Sequence, residues 1–138
     1  MRGAERTEGT MTYHISRTVK AGFDETVARV KAELAKEGFG VLTEIDVRAT
    51  LKAKLGVEFR NYRILGACNP QLAYGALEAE DRIGVMLPCN VVVQEHAPGE
   101  VEVSAINPVA AMERIGNQGL TETAGQVTGK LMKVVESV

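Results

Sequence analysis

The chain has 138 residues, 45% of them hydrophobic and 25% charged, the size and mix of one domain that can bury a core without disulfides or structural metal. Sixteen Lys and Arg face 18 Asp and Glu, for a net charge of −2, and the signs alternate along the chain, as in Glu78-Ala79-Glu80-Asp81-Arg82. With no basic block and no Trp the footprint of a nucleic-acid binder is missing, and no apolar run approaches the length of a membrane helix.

Residues 1–10 read as a flexible polar leader without an apolar signal region, with Met11 as a second candidate start. The folded domain is expected over residues 11–138, and the expected compartment is the cytoplasm, where Cys68 and Cys89 stay reduced. Tyr13 to Val19 alternates as a half-buried strand, with Tyr13, Ile15 and Val19 on the apolar face and Arg17 as its one misfit. Asp24 is the expected cap of a helix in which Phe23, Val27, Val30 and Leu34 recur at helical spacing and Gly38 is the stop. Val41 to Val47 follows as a strand, with Val41, Thr43, Ile45 and Val47 expected inward and Glu44 and Asp46 outward. A short helix is expected from about Ala49 to Leu55, ended by Gly56, and then a third strand from Tyr62 to Ala67.

Asn69-Pro70 reads as an N-cap with proline in the first turn, opening a helix with Leu72, Ala73, Ala76 and Leu77 on one face. Ile83 to Glu95 reads as one long apolar strand in which Pro88 requires an edge or a bulge. His96 to Glu100 turns it back into a hairpin partner, Val101 to Ile106. Asn107-Pro108 repeats the cap-and-proline device for a short helix ending near Gly116. A last helix from Thr121 carries Leu120, Ala124, Val127, Leu131 and Val134 on one stripe. The order β-α-β-α-β-α-β-β-α-α implies an α+β fold of two layers, one mostly antiparallel β-sheet with helices packed on one face. The other face, expected to carry His14, Glu44, Asp46 and Leu42, is left to solvent or to a second copy of the chain.

Three segments then belong together: Phe39-Gly-Val-Leu-Thr-Glu-Ile-Asp-Val47, Arg60-Asn-Tyr-Arg-Ile-Leu-Gly-Ala-Cys-Asn-Pro70 and Ile83-Gly-Val-Met-Leu-Pro-Cys-Asn-Val-Val-Val93. From about Met11 to Val138 the chain resembles the uncharacterised family called domain of unknown function 302. The resemblance rests on the paired Gly-Ala-Cys-Asn-Pro and Leu-Pro-Cys-Asn signatures. It implies a two-layer α+β domain and a homodimer, and it brings no activity.

Cys68 is the first candidate for chemistry. It ends a strand just before a capped helix start, beside unpaired backbone N–H groups, a setting that favours thiolate; small-residue packing at a tight joint is the plainer reading. Cys89 shares the parity of Val91 and Val93, which indicates burial, unless Pro88 makes a bulge that turns it toward Cys68. Two sulfurs together would serve redox chemistry, sulfur handling or a soft metal. Asn69 is explained by capping and is also the first candidate ligand contact. Asn90, in an apolar strand, needs partners and is the second candidate ligand contact. His14 and His96 read as solvated, and no metal site is expected. Glu44 and Asp46 have the spacing of an acid–base pair and equally of a wet strand face. Tyr62 and Tyr74 read as core or rim aromatics, and Gly125 and Gly129 are a weak hint of close helix contact. No nucleotide loop, cofactor-lysine motif or Ser/His/Asp arrangement is present, so no cofactor is expected. Three functional readings follow: a homodimeric domain binding a small ligand or partner, a thiol-dependent site built on Cys68 and Cys89, and, as a lesser third, hydrolysis by Glu44 and Asp46.

Overall fold

The computed structural model describes residues 12–138; the leader reading of residues 1–10 and the start at Met11 lie outside them. The elements run β1 (His14–Lys20), α1 (Phe23–Lys36), β2 (Gly40–Asp46), α2 (Val47–Leu55), β3 (Tyr62–Cys68), α3 (Pro70–Ala79), β4 (Cys89–Ala97), β5 (Glu100–Ile106), α4 (Pro108–Met112) and α5 (Gln118–Ser137). This is the order the sequence predicts. The five strands form one sheet, β1-β5-β4-β3-β2, with every neighbouring pair antiparallel. The fold is α+β.

One sheet face is covered by α1 and α5. Val30 and Leu34 of α1 and Leu131 and Val134 of α5 are buried against Leu65, Val91, Val93, Val101 and Val103 of the inner strands. Each such side chain contributes about 1.5–3 kcal/mol by leaving water. A smaller cluster of Ala76, Ile83 and Leu120, with Met86, Leu87 and Met112 against it, joins α3 to α5.

Arg17, the misfit of β1, lies at the C-terminal end of α5. Its guanidinium donates to the carbonyl oxygens of Glu136 at 2.6 Å and of Val135 and Val138 at 3.4 Å. These are carbonyls a helix end leaves without partners, at the negative end of its dipole.

Four expectations are corrected. The cap of α1 is Gly22, whose carbonyl accepts from Thr26 Oγ1 at 2.7 Å; Asp24 sits in the first turn, where its charge favours the helix start. The apolar run Ile83 to Glu95 is not one strand. Ile83–Met86 forms a 3-10 turn that plugs Ile83 into the smaller cluster, the Leu87–Pro88 peptide is cis, and β4 begins at Cys89; Pro88 has no N–H to give a ladder. On β2, the register shifts between Val41 and Thr43, and one extra residue reverses which side chains face which way. Thr43 and Ile45 therefore pair with Gly66 and Ile64 on the open face, while Glu44 and Asp46 stand with Leu65 and Arg63 on the helix side, at the sheet edge. Asp46 also accepts from Ala49 N–H and caps α2, so that helix begins at Val47, which belongs to no strand.

Candidate functional site

The two cysteines meet the same cavity by different routes. Cys68 is the last residue of β3 and Cys89 the first of β4, and Ala67 pairs directly with Cys89. The pair is therefore diagonal across the ladder. Alternation gives Cys89 the helix-side parity of Val91 and Val93, and Cys68 the open-side parity of Gly66. Both still line one cavity between the sheet end and α3 and α5, with Phe39, Leu72, Leu87 and Met112 among its walls. The cavity volume is 30 Å³, enough for about one water.

Cys68 is half-buried and Cys89 buried, and both are free thiols. Burial, with Cys68 adding to it, pushes the Cys89 thiol up to about 11, so Cys89 keeps its proton at neutral pH. Asn69 does cap α3, its Oδ1 accepting from Leu72 N–H at 3.3 Å, and its amide N–H donates to the Glu37 carbonyl oxygen at 3.3 Å. Both ends of that amide are taken by the protein. Neither histidine lines this cavity. Among the described residues no group of three or more His, Cys, Asp and Glu side chains is placed to hold a metal ion.

Glu44 and Asp46 are not free for acid–base work. Glu44 meets Lys31 Nζ at 2.8 Å and Arg63 Nη1 at 2.6 Å, and Arg63 Nη2 lies 3.8 Å from Asp46. Hydrogen bonds from Lys31 and then Arg63 hold the Glu44 carboxyl below its ordinary range. The group is an edge clamp between α1, β2 and β3.

The larger concavity lies on the open face. A groove of 450 Å³ crosses β3, β4, β5 and β1, lined by Tyr62; by Asn90, Val92 and Gln94; by Glu102, Ser104 and Ile106; and by Tyr13 and His14. Register explains the gathering. Tyr62, Gln94 and Glu102 stand in one transverse row, Val92, Ser104 and Ser16 in the next. Three inter-strand steps make it roughly 14 Å across.

Its polar groups are ordered by two short chains. His14 Nδ1 lies 2.6 Å from Ser16 Oγ, and Ser16 Oγ donates to Ser104 Oγ at 2.8 Å. Ser16 is 5% exposed. On the other side His96 Nε2 meets Glu102 Oε1 at 2.8 Å. Asn90 is exposed, not buried in an apolar strand; its open-face position removes the need for internal partners. The Asn90 and Gln94 side-chain amides have no hydrogen-bond partner among the described residues. Sequence reading missed this groove, although alternation of Asn90-Val91-Val92-Val93-Gln94 against Glu102-Val103-Ser104 carries the signal once β4 is started at Cys89. Tyr62 is half-buried in the groove, and Tyr74, exposed on α3, lines neither the groove nor the thiol cavity.

The class this architecture defines is a two-layer α+β domain with one sheet face covered by helices and one open among the described residues. The chain belongs to the family described as "Domain of unknown function DUF302", which matches residues 15–138. It is similar to the crystal structure of an uncharacterised conserved DUF302 protein from Bacillus stearothermophilus, with 30% identity over 91% of this chain and 98% of that one, and a TM-score of 0.84. No curated protein matches it.

Proposed function

We propose that the protein is a non-catalytic, homodimeric binding domain that takes a small organic molecule in the open-face groove. The observation that carries this reading is the groove itself. Its 450 Å³ falls in the range of small-molecule sites, roughly 300–1,000 Å³, whereas the thiol cavity at 30 Å³ has room for about one water. The groove also combines an aliphatic floor, Val92 and Ile106, with convergent polar groups that fix orientation. Asn90 is the ligand contact in this reading, and Asn69 is a structural strap.

The homodimer draws support from α2, none of whose residues is buried. A short helix gains most of its stability from packing, and Leu42, Ile45, Leu55 and Val57 are exposed around it; a second copy would cover them. The cytoplasm suits two unpaired cysteines on neighbouring strands.

The test is an amide-resolved NMR screen of the full chain against small organic fragments of mixed charge. Saturable shifts at Asn90, Val92, Gln94 and Ser104 are expected. If no fragment moves these amides, the reading falls. The thiol reading keeps one observation in its favour, the shared cavity. It requires Cys68 to react with iodoacetamide in the folded protein faster than a free thiol at neutral pH, and a Cys68 that reacts only after unfolding ends it.

A further inference from the structure

Asparagine is used in two different ways in this molecule. Asn69, Asn107 and Asn117 each cap a helix through Oδ1 and donate through Nδ2 to a distant carbonyl, of Glu37, Thr12 and Ala79 respectively. Asn61 is likewise spent, between Arg48 and Glu95. Asn90 and Gln94 break the pattern, since both stand on β4 with their amides unpartnered among the described residues, two residues on either side of Val92 and on its face.

From this we infer that the groove is built for an uncharged, planar nitrogen heterocycle that carries N–H donors and carbonyl or ring-nitrogen acceptors along one edge, as a nucleobase does. The inference rests on the ligand-binding reading above and names its ligand class. A primary amide offers a donor and an acceptor side by side in one plane, the complement of such an edge. The other polar groups extend the match. With His14 donating from Nδ1, the chain runs through Ser16 to Ser104 and leaves the Ser104 hydroxyl hydrogen for a ligand acceptor. His96 engages Glu102 Oε1, and the second carboxylate oxygen is left to accept a ligand N–H. Tyr62 and Tyr13 also line the groove, each in ring contact with a neighbour, Phe59 and His14 respectively, and put aromatic surface at either end for a flat ring to meet.

Charge limits the class further. Among the described residues no Lys or Arg lines the groove, while Glu102 does. A phosphate would meet that carboxylate with no Lys or Arg of the described lining to offset it, so a free base or nucleoside fits the groove better than a nucleotide.

The experiment titrates the full chain with adenosine, uridine, adenosine 5′-monophosphate, benzoate and benzylamine, following backbone amides by NMR. Adenosine or uridine is expected to shift Asn90, Gln94 and Ser104 saturably, with the monophosphate at least about fivefold weaker. Asn90→Leu and Gln94→Leu, on the open face away from the core, should each weaken nucleoside binding about tenfold, one hydrogen bond's worth, with an unchanged melting temperature. Groove shifts with benzoate or benzylamine but with neither nucleoside would overturn the ligand class and leave the binding reading standing. Nucleoside binding untouched by both amide substitutions would overturn it too. Silence from all five probes, together with silence in the fragment screen, brings down both.

Discussion

Cys89 is a titrating group held away from water, and its proton is part of the fold. The thiol is pushed up to about 11 from an ordinary 9.0. Because the native state holds this proton more tightly than the unfolded chain, the stability is fully present below pH 9 and is lost as pH rises through 11. Urea unfolding at about pH 8 and about pH 10.5 should show about 2 kcal/mol more loss in the natural chain than in Cys89→Ala; equal losses would show that the buried thiol is not the linked group. At this scale the sequence is a partial guide. It places Cys68 and Asn69 at a strand-to-helix joint, where they are found. It marks Arg17 as out of place on an apolar face, and the reason is three carbonyls more than a hundred residues away, which no local pattern carries. Asn90 is misjudged because its apolar neighbours imply burial, whereas alternation turns it outward.

Elements are legible where periodicity is long and fail where it is short. The stripes of α1 and α5 appear as expected, with Phe23, Val27, Val30 and Leu34 buried on one and Leu120, Ala124, Val127, Leu131 and Val134 on the other. The run from Ile83 to Glu95 defeats the same reasoning, because continuous apolar residues fit a strand or a plug equally. The bulge on β2 defeats it as well, since one inserted residue inverts the faces of Glu44 and Ile45. That bulge brings Thr43 opposite Gly66, where a Cβ would overlap Thr43 Oγ1 and lie 2.8 Å from Pro88 Cγ. Gly66→Ala should therefore destabilise by about 1–3 kcal/mol, the usual cost of overpacking. Adding Thr43→Ala should return part of it, as read by chemical denaturation. If Gly66→Ala alone costs nothing, the β2–β3 approach is looser than described.

For the whole molecule, element order and fold class are recovered from sequence while strand order and function are not, since the groove depends on four strands being aligned in register and no single segment contains it. Assembly is decided at this scale too. If a second copy covers α2, Leu55→Glu, a change at a side chain 70% exposed in the single chain, should convert dimer to monomer in light scattering without lowering helical content. A natural chain that is monomeric under the same conditions would remove the dimer from the proposal.

The placing of β1 at the sheet edge, beside β5, has a consequence for biosynthesis. The strand that emerges earliest among the described residues finds its ladder partner only after residues 21–99 have been made. The α5 carbonyls that Arg17 holds come later still. A nascent chain therefore carries β1 unpaired for most of its translation, with Ile15 and Val19 exposed, and is open to mispairing with other extended chains in that interval.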